Sequence, residues 1–325
     1  MQLKPMRLFT PAKINTILQI LSKCDDGFHE IFTHMVPISF FDELTLQEHS
    51  MKNFSFRCNL RELEGPENLV WRALKLFEEA SGRTVRLIIH LQKRIPLGGG
   101  LGGGSGNAAA TLLALNRWYD EPLTEEELEE LAEQLGSDVP FFLNPRPTLA
   151  TGRGNILRSL QNYPLGEILL VIPTFSISTA KAYGMCKPRM SHPSTTPTTI
   201  RELASEIENQ FHESLFSSYP ALNQICELLL ELGALAAAVS GSGSTVFGLF
   251  DGSLERNLFQ QTHSDLPPKL SATLIVILGD LCDRSGKLMP TFLFLSETFR
   301  HSDECAGFTR KLISRRTIAL SNFIN

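Results

Sequence analysis

Hydrophobic positions early in the chain alternate. Ile14, Thr16, Leu18 and Ile20 recur at every second residue after Leu8-Phe9, which predicts a strand. On such a strand Lys13 and Asn15 face away from the apolar set, and an ordinary solvated lysine is the plain reading of Lys13 by itself. A polar turn, Asp25-Asp26-Gly27-Phe28-His29-Glu30, follows, and then two apolar runs, Met35–Phe41 and Leu44–Leu46, that read as further strands. At Pro66-Glu67-Asn68 the period changes. Leu69, Ala73, Leu76 and Phe77 form the stripe of a helix that runs through Ala80 and stops at Ser81-Gly82. Alternation returns at Val85, Leu87, Ile89 and Leu91. Helical spacing returns at Ala108, Leu112, Leu115 and Tyr119.

Between that strand and that helix lies Pro96-Leu97-Gly98-Gly99-Gly100-Leu101-Gly102-Gly103-Gly104-Ser105-Gly106-Asn107, with seven of the chain's 23 glycines. Glycine loses more conformational freedom on folding than any other residue. Such density therefore implies positive φ angles or close approach of the backbone to another group. A helix start offers unpaired N–H groups and the positive end of the dipole, which suit phosphate. A flexible linker is the bland alternative, but a strong helix follows at once. Gly98, Gly100 and Gly103 formally spell G-x-G-x-x-G, yet no acidic residue ends a second strand at the distance a dinucleotide site needs. The Walker pattern fails because no lysine follows the glycines.

Further along, Thr124 and Glu127 form a capping box for a helix with Leu128, Leu131 and Leu135 on one face, ended by Gly136. Then comes Gly136-Ser137-Asp138-Val139-Pro140-Phe141-Phe142. Asp138 reads either as a helix N-cap or as a carboxylate held at the edge of a core beside the phosphate loop. Ala150 to Asn155 is a tight turn, Ile168–Ile172 a strand and Ser178 to Tyr183 the start of a short helix. Lys187–Thr199 is rich in Pro, Ser and Thr and reads as a mobile loop. An apolar helix, Leu222–Leu232, stops at Gly233. Two strands, Ala236–Ser240 and Thr245–Phe250, flank Gly241-Ser242-Gly243-Ser244. A helix over Leu254–Thr262 and a strand over Leu274–Leu278 complete the pattern.

The 325 residues, 42% of them hydrophobic, suffice for two domains. A net charge of −5 argues against a nucleic-acid surface, and no apolar run reaches membrane-spanning length. Six cysteines without a C-x-x-C pair, and an N-terminus without a signal-peptide core, imply free thiols and a cytoplasmic location.

Five blocks in order carry a resemblance. They are Pro11-Ala12-Lys13-Ile14-Asn15, Asp26-Gly27-Phe28-His29-Glu30, the glycine stretch ending Asn107-Ala108-Ala109-Ala110, Gly136 to Phe142, and Gly241-Ser242-Gly243-Ser244-Thr245-Val246-Phe247-Gly248. Together they resemble the GHMP family of small-molecule kinases. The resemblance implies an α+β fold of two domains, the second ferredoxin-like, with the active site in the cleft between them. Residues 1–150 would form the ATP-binding domain, 151–280 the C-terminal kinase domain, and 281–325 an extension beyond the family's usual end. Within the family the blocks are most similar to those of enzymes acting on cytidine-diphospho-methylerythritol, in isoprenoid precursor biosynthesis.

That resemblance implies transfer of the ATP γ-phosphoryl group to an alcohol of a small molecule, with Mg²⁺ as cofactor. Pro96 to Gly106 would cradle the phosphates, and Ser105 would offer an oxygen to Mg²⁺ bound through ATP. Asp138 would accept the substrate hydroxyl's proton, and Lys13 would sit beside it. Asn15, Phe28, His29 and Tyr183 would bind substrate, the two aromatic rings as walls for the cytosine and His29 at its edge. Gly241 to Ser244 would be a second glycine loop. Three positions depart from the family pattern: Gly106 stands for a second serine, Phe28 for a tyrosine, and Asn155 for the glutamate that follows Gly-Arg-Gly. Two other readings compete. One is a GHMP kinase for a different alcohol, which Lys13 and Phe28-His29 argue against. The other is a non-catalytic nucleotide sensor on the same fold, which an intact Lys13 and Asp138 argue against. A nucleotide-dependent dehydrogenase is a distant further alternative.

Overall fold

A computed structural model describes residues 5–25, 27–49, 54–164, 166–189 and 196–252, with the backbone of 272–277. The proposed extension from 281 and the helix expected over Leu254–Thr262 lie outside these residues, as does the middle of the Lys187–Thr199 segment. Two compact units divide the chain. The first runs to Leu97 and from Leu101 to Gln161; the second takes Gly98–Gly100, Asn162–Lys187 and later residues.

In the first unit the strand β1 (Met6–Lys23) pairs antiparallel with β2 (His29–Glu48) along almost its whole length. The two apolar runs expected as separate strands are one. Register shifts between Pro11 and Ala12 and between Asn15 and Ile17 break the alternation, so apolar residues on both sides of the breaks are buried. β3 (Ser55–Cys58) lies parallel to β4 (Leu87–Gln92), which joins the far end of β2. β5 (Thr148–Thr151) and β6 (Ile156–Ser159) form a hairpin beside the other end of β2. β4, from which the glycine stretch leaves, is antiparallel to β2 and parallel to the short β3, unlike the all-parallel doubly wound sheet of a dinucleotide fold.

Four helices cover this sheet. α1 (Leu69–Ser81) is capped by the Asn68 side chain on the Val70 N–H and ends on Gly82 at φ 66°. Its buried face is Val70, Ala73, Leu74 and Phe77, rotated slightly from the expected stripe. α2 (Gly103–Trp118) begins five residues before Ala108, the first position of the apolar spacing, inside the glycine run. α3 (Glu125–Leu135) carries the complete Thr124–Glu127 capping box. α4 (Val139–Leu143) is a short turn of helix with Pro140 near its start. α2 packs on α1, α3, α4 and both long strands, which makes it the central helix of the unit.

The second unit holds β7 (Glu167–Pro173), α5 (Thr179–Met185), α6 (Ile200–Glu206), β8 (Glu208–Asn209), α7 (His212–Ser218), α8 (Pro220–Glu231), β9 (Ala236–Val239), β10 (Val246–Phe250) and β11 (Ala272–Ile277). Four of these strands form an antiparallel sheet in the order β11-β7-β10-β9. This is the ferredoxin-like order expected, and α8 covers β9 and β10. No helix among the described residues is long and apolar enough to cross a membrane.

Candidate active site

The first unit brings Lys13, Asn15, Asp138 and the start of α2 together. The Lys13 backbone N–H donates to Leu101 O at 2.9 Å, tying β1 to the glycine run. Lys13 is only 4% exposed, so it is not the solvated lysine that alternation implies; helices cover the face on which it projects. Its Nζ donates to Asn15 Oδ1 at 2.6 Å and lies 3.5 Å from Asp138 Oδ2. Asn15 Nδ2 in turn donates to Thr33 Oγ1 at 2.8 Å, and that hydroxyl donates to Ile17 O at 2.6 Å. This relay holds the Asn15 amide with its oxygen toward the ammonium, so the lysine's direction is fixed.

Asp138 occupies the N-cap position of α4, yet its side chain caps nothing. The carboxylate is 40% exposed and meets Lys13 instead. An aspartate that leaves a cap unused and turns to a buried ammonium is available to a ligand. The same short helix presents Phe142 to α2. A Cβ on Gly102 would come within 2.7 Å of the Phe142 ring and 3.1 Å of Lys13 Cγ, and Gly102 sits at φ 69° as the N-cap of α2. Glycine is required there by both backbone angle and space. Gly106 is buried against the same ring: a Cβ would lie 3.3 Å from Phe142 and from Pro11 O. The family's second serine is absent where this ring leaves little room for it.

Gly106 N donates to Gly102 O at 2.9 Å, the first turn-closing bond of α2. The N–H groups of Gly103, Gly104 and Ser105 precede that bond and have no helical acceptor. Gly104 is exposed, and a Cβ there would meet only Leu69 at 3.6 Å. Gly103 differs: a Cβ would lie 2.7 Å from Lys93 Nζ and 2.8 Å from Ile95. Lys93 and Ile95 thus occupy the space that a side chain at 103 would need. Pro96 and Leu97 lead into the run, and Leu97 is half exposed.

Lys93 belongs to a group that sequence reasoning did not single out. Its Nζ donates to Asp42 Oδ2, and Asp42 Oδ1 accepts from the N–H groups of Arg94 (2.6 Å) and Ile95 (2.8 Å). Asn107 Nδ2 donates to Asp42 Oδ2 at 3.0 Å and to Thr10 Oγ1 at 2.8 Å. The available signal was the acidic pair Asp42-Glu43 between apolar runs that end at Phe41 and resume at Leu44.

Phe28 and His29 lie where β1 turns into β2. Phe28 is 53% exposed, with the Arg153 guanidinium 4.8 Å from its ring centre. Burial, and then the charge of Lys23, lower the pKa of His29, which favours the neutral ring. Tyr183, in the second unit, is partly buried and packs edge-on to Phe211 at 5.0 Å. In that unit Gly98–Gly100 meet the second glycine loop: Thr245 N donates to Gly99 O at 3.2 Å and Ser240 Oγ to Gly100 O at 3.0 Å. A Cβ on Gly100 would fall 2.1 Å from Ser240 O, so this glycine is fixed by packing as well as by its φ of 75°.

The sequence pattern described as "GHMP kinases N terminal domain" matches residues 68–145, and "GHMP kinases C terminal" matches 196–264. A 4-diphosphocytidyl-2-C-methyl-D-erythritol kinase of Geobacter sp. (strain M21) is 35% identical over 254 residues, 77% of this chain and 91% of the relative. The chain belongs to the GHMP kinase family. A kinase of the same name from Syntrophus aciditrophicus (strain SB) is 37% identical over 76% of this chain and 90% of its own length. Among solved structures, a 4-(cytidine 5'-diphospho)-2C-methyl-D-erythritol kinase aligns with a TM-score of 0.68 at 34% identity, covering 78% of this chain and 94% of that one. A mevalonate kinase aligns at 0.60 with 13% identity, which speaks to the shared GHMP fold alone.

Proposed function

We propose that this GHMP kinase transfers the γ-phosphoryl group of ATP to the 2-hydroxyl of 4-diphosphocytidyl-2-C-methyl-D-erythritol, a step of non-mevalonate isoprenoid precursor biosynthesis, in the cytoplasm. The observation that carries the chemistry is the Lys13–Asp138 pair, 3.5 Å apart beside the N-terminus of α2. Phosphoryl transfer asks the protein mainly for positioning and charge stabilisation. The first-turn amides of Gly103, Gly104 and Ser105 and the helix dipole would hold phosphate oxygens. Asp138 would orient the acceptor hydroxyl and take its proton. Lys13, aimed by Asn15, would offset the negative charge gathering on the transferred group.

The residues present fit a nucleotide-borne Mg²⁺. The ion prefers oxygen ligands and commonly keeps waters and substrate phosphates rather than an all-protein cage. Ser105, partly exposed at the third position of α2, would add one hydroxyl oxygen. For the other end of the substrate, the exposed Phe28 ring offers a stacking face and His29 a neutral edge, with Tyr183 as the second aromatic. The test is ADP release by the purified protein with the cytidine-diphospho substrate, with mevalonate and homoserine as controls. Turnover confined to the first supports the reading; turnover with a control alone, or with none, removes it.

A further inference from the structure

We propose that Asp42, with Lys93 and Asn107, is a positioning unit that staples the two ends of the glycine run and so presets it for the nucleotide's phosphates. This rests on the reading of that run as the ATP site. Asp42 is fully buried, and Lys93, Asn107 and Thr10 are 4%, 2% and 2% exposed. One carboxylate oxygen takes the N–H groups of Arg94 and Ile95, on the entry side of Pro96. The other takes Lys93 Nζ and Asn107 Nδ2, and Asn107 is the first residue past Gly106. A single side chain therefore fixes both ends of the eleven residues between, Pro96 to Gly106.

The chemistry of the group also argues for placement over stability. A buried ion pair adds little net stability compared with apolar residues of similar volume, because desolvation offsets the attraction. Here the pair supplies direction. The Lys93 ammonium lies where a side chain on Gly103 would be, against the first turn of α2. Near that positive helix end a second cation is unfavourable unless an anion answers it, and Asp42 does so from the core side. In that first turn Gly104 is exposed and Ser105 part-exposed. A loop of seven glycines has much freedom to lose, and ends held in advance reduce what ATP must order on binding.

Asp42→Asn keeps the shape but turns one acceptor oxygen into a donor facing Lys93 or the loop amides. KM for ATP should rise by about tenfold to a hundredfold, the range for a lost charge-assisted hydrogen bond. KM for the cytidine-diphospho substrate should stay within about twofold, since the Lys13 and Asp138 side chains meet each other and not Asp42, Lys93 or Asn107. Asn107→Ala releases only the exit end and retains the ion pair, so it should shift the ATP KM the same way by less; it carries the test if Asp42→Asn does not fold. A merely structural role would lower the melting temperature while leaving the ATP KM unchanged, and that result overturns the proposal. Equal rises in both KM values overturn it too. Gly104→Val reports on the loop itself. If it loses ATP while both network variants keep it, only the staple falls; if all three bind ATP normally, the loop has been misread.

Discussion

The chain has two glycine–serine loops, and their groups are used in opposite ways. In the loop at Gly241–Ser244 every residue is buried. Asn209 Nδ2 donates to Gly241 O at 2.8 Å, the Ser242 hydroxyl pairs with Thr179 at 3.1 Å, and Ser244 Oγ donates to Phe175 O at 2.6 Å. The Gly241 carbonyl and both serine hydroxyls are spent inside the protein. At Gly103–Ser105 the backbone N–H groups precede the first helical bond, Gly104 is exposed and Ser105 half so. Glycine density alone does not distinguish packing from ligand binding. What does is whether the neighbouring donors and acceptors already have partners.

The largest effect should come from the carboxylate beside the first loop. Asp138→Asn keeps the side chain's shape and should lower turnover by about 10²–10⁴, the range for a general base. Lys13→Met should do similar harm. The double variant should be little worse than either single one, because residues acting as a unit are non-additive. ATP binding should persist in all three. Near-normal steady-state turnover by Asp138→Asn would falsify the catalytic assignment.

Next come the glycines within the first loop, which the structure divides. Gly103→Ala forces a methyl to 2.7 Å from Lys93 Nζ and should cost about 1–3 kcal/mol of stability through overpacking. A Cβ at Gly104 meets only Leu69, and valine replaces a poor helix former, so melting should be unchanged or slightly raised. It places a branched side chain over the first-turn amides and should weaken ATP binding by roughly tenfold or more. Calorimetric titration and a melting curve on each variant separate the two. Gly104→Val that binds ATP as tightly as the wild type sinks the distinction.

How much of this was legible follows from what each signal reports. The five blocks were readable because spacing and residue type along the chain carry them. The Thr124–Glu127 box was readable for the same reason, and Thr199–Glu202, which caps α6, could have been. The full length of β2 was not, because bulges break the period of two and Asp42 looks like an interruption until Lys93, 51 positions away, is seen to meet it. The burial of Lys13 was not legible either, since alternation identifies the face on which a residue lies but not what covers it. The start of α2 was hidden because glycine's low helix propensity argues against helix at Gly103, where tertiary contacts prevail.

A pH experiment compares the two units directly, since each holds, among its described residues, a histidine whose pKa burial lowers. His34, in the first, is lowered to about 4 by burial and then by Arg158; His212, in the second, is lowered to about 4 by burial, and its Nε2 accepts the Val239 N–H at 3.1 Å. Both folded values lie below the unfolded value of 6.5. The unfolded chain therefore binds more protons between these limits, and stability falls as pH drops from about 6.5 to about 4, by on the order of 3 kcal/mol for each. Melting curves across this range read it. His212→Gln, whose carbonyl oxygen can still accept the Val239 N–H, should flatten the dependence, and a profile identical to wild type would remove His212 from the account.

The smallest effects test the opening contrast most directly, with one serine from each loop. Ser244 is 2% exposed and gives its hydroxyl to Phe175 O. Ser244→Ala leaves that carbonyl without its donor, at a cost of about 1 kcal/mol of stability, and should leave the KM for ATP unchanged. Ser105 is part-exposed in the first turn of α2, and its hydroxyl is assigned to the nucleotide's phosphates or their Mg²⁺. Ser105→Ala loses a serine for a better helix former, so its melting temperature should hold or rise slightly. Its turnover should fall several-fold and should respond to added Mg²⁺ differently from the wild type. Opposite signatures in the pair, stability for one and kinetics for the other, follow only if one loop is packed and the other serves a ligand. If Ser105→Ala loses stability with unaltered kinetics, the two loops are alike and the contrast between them fails.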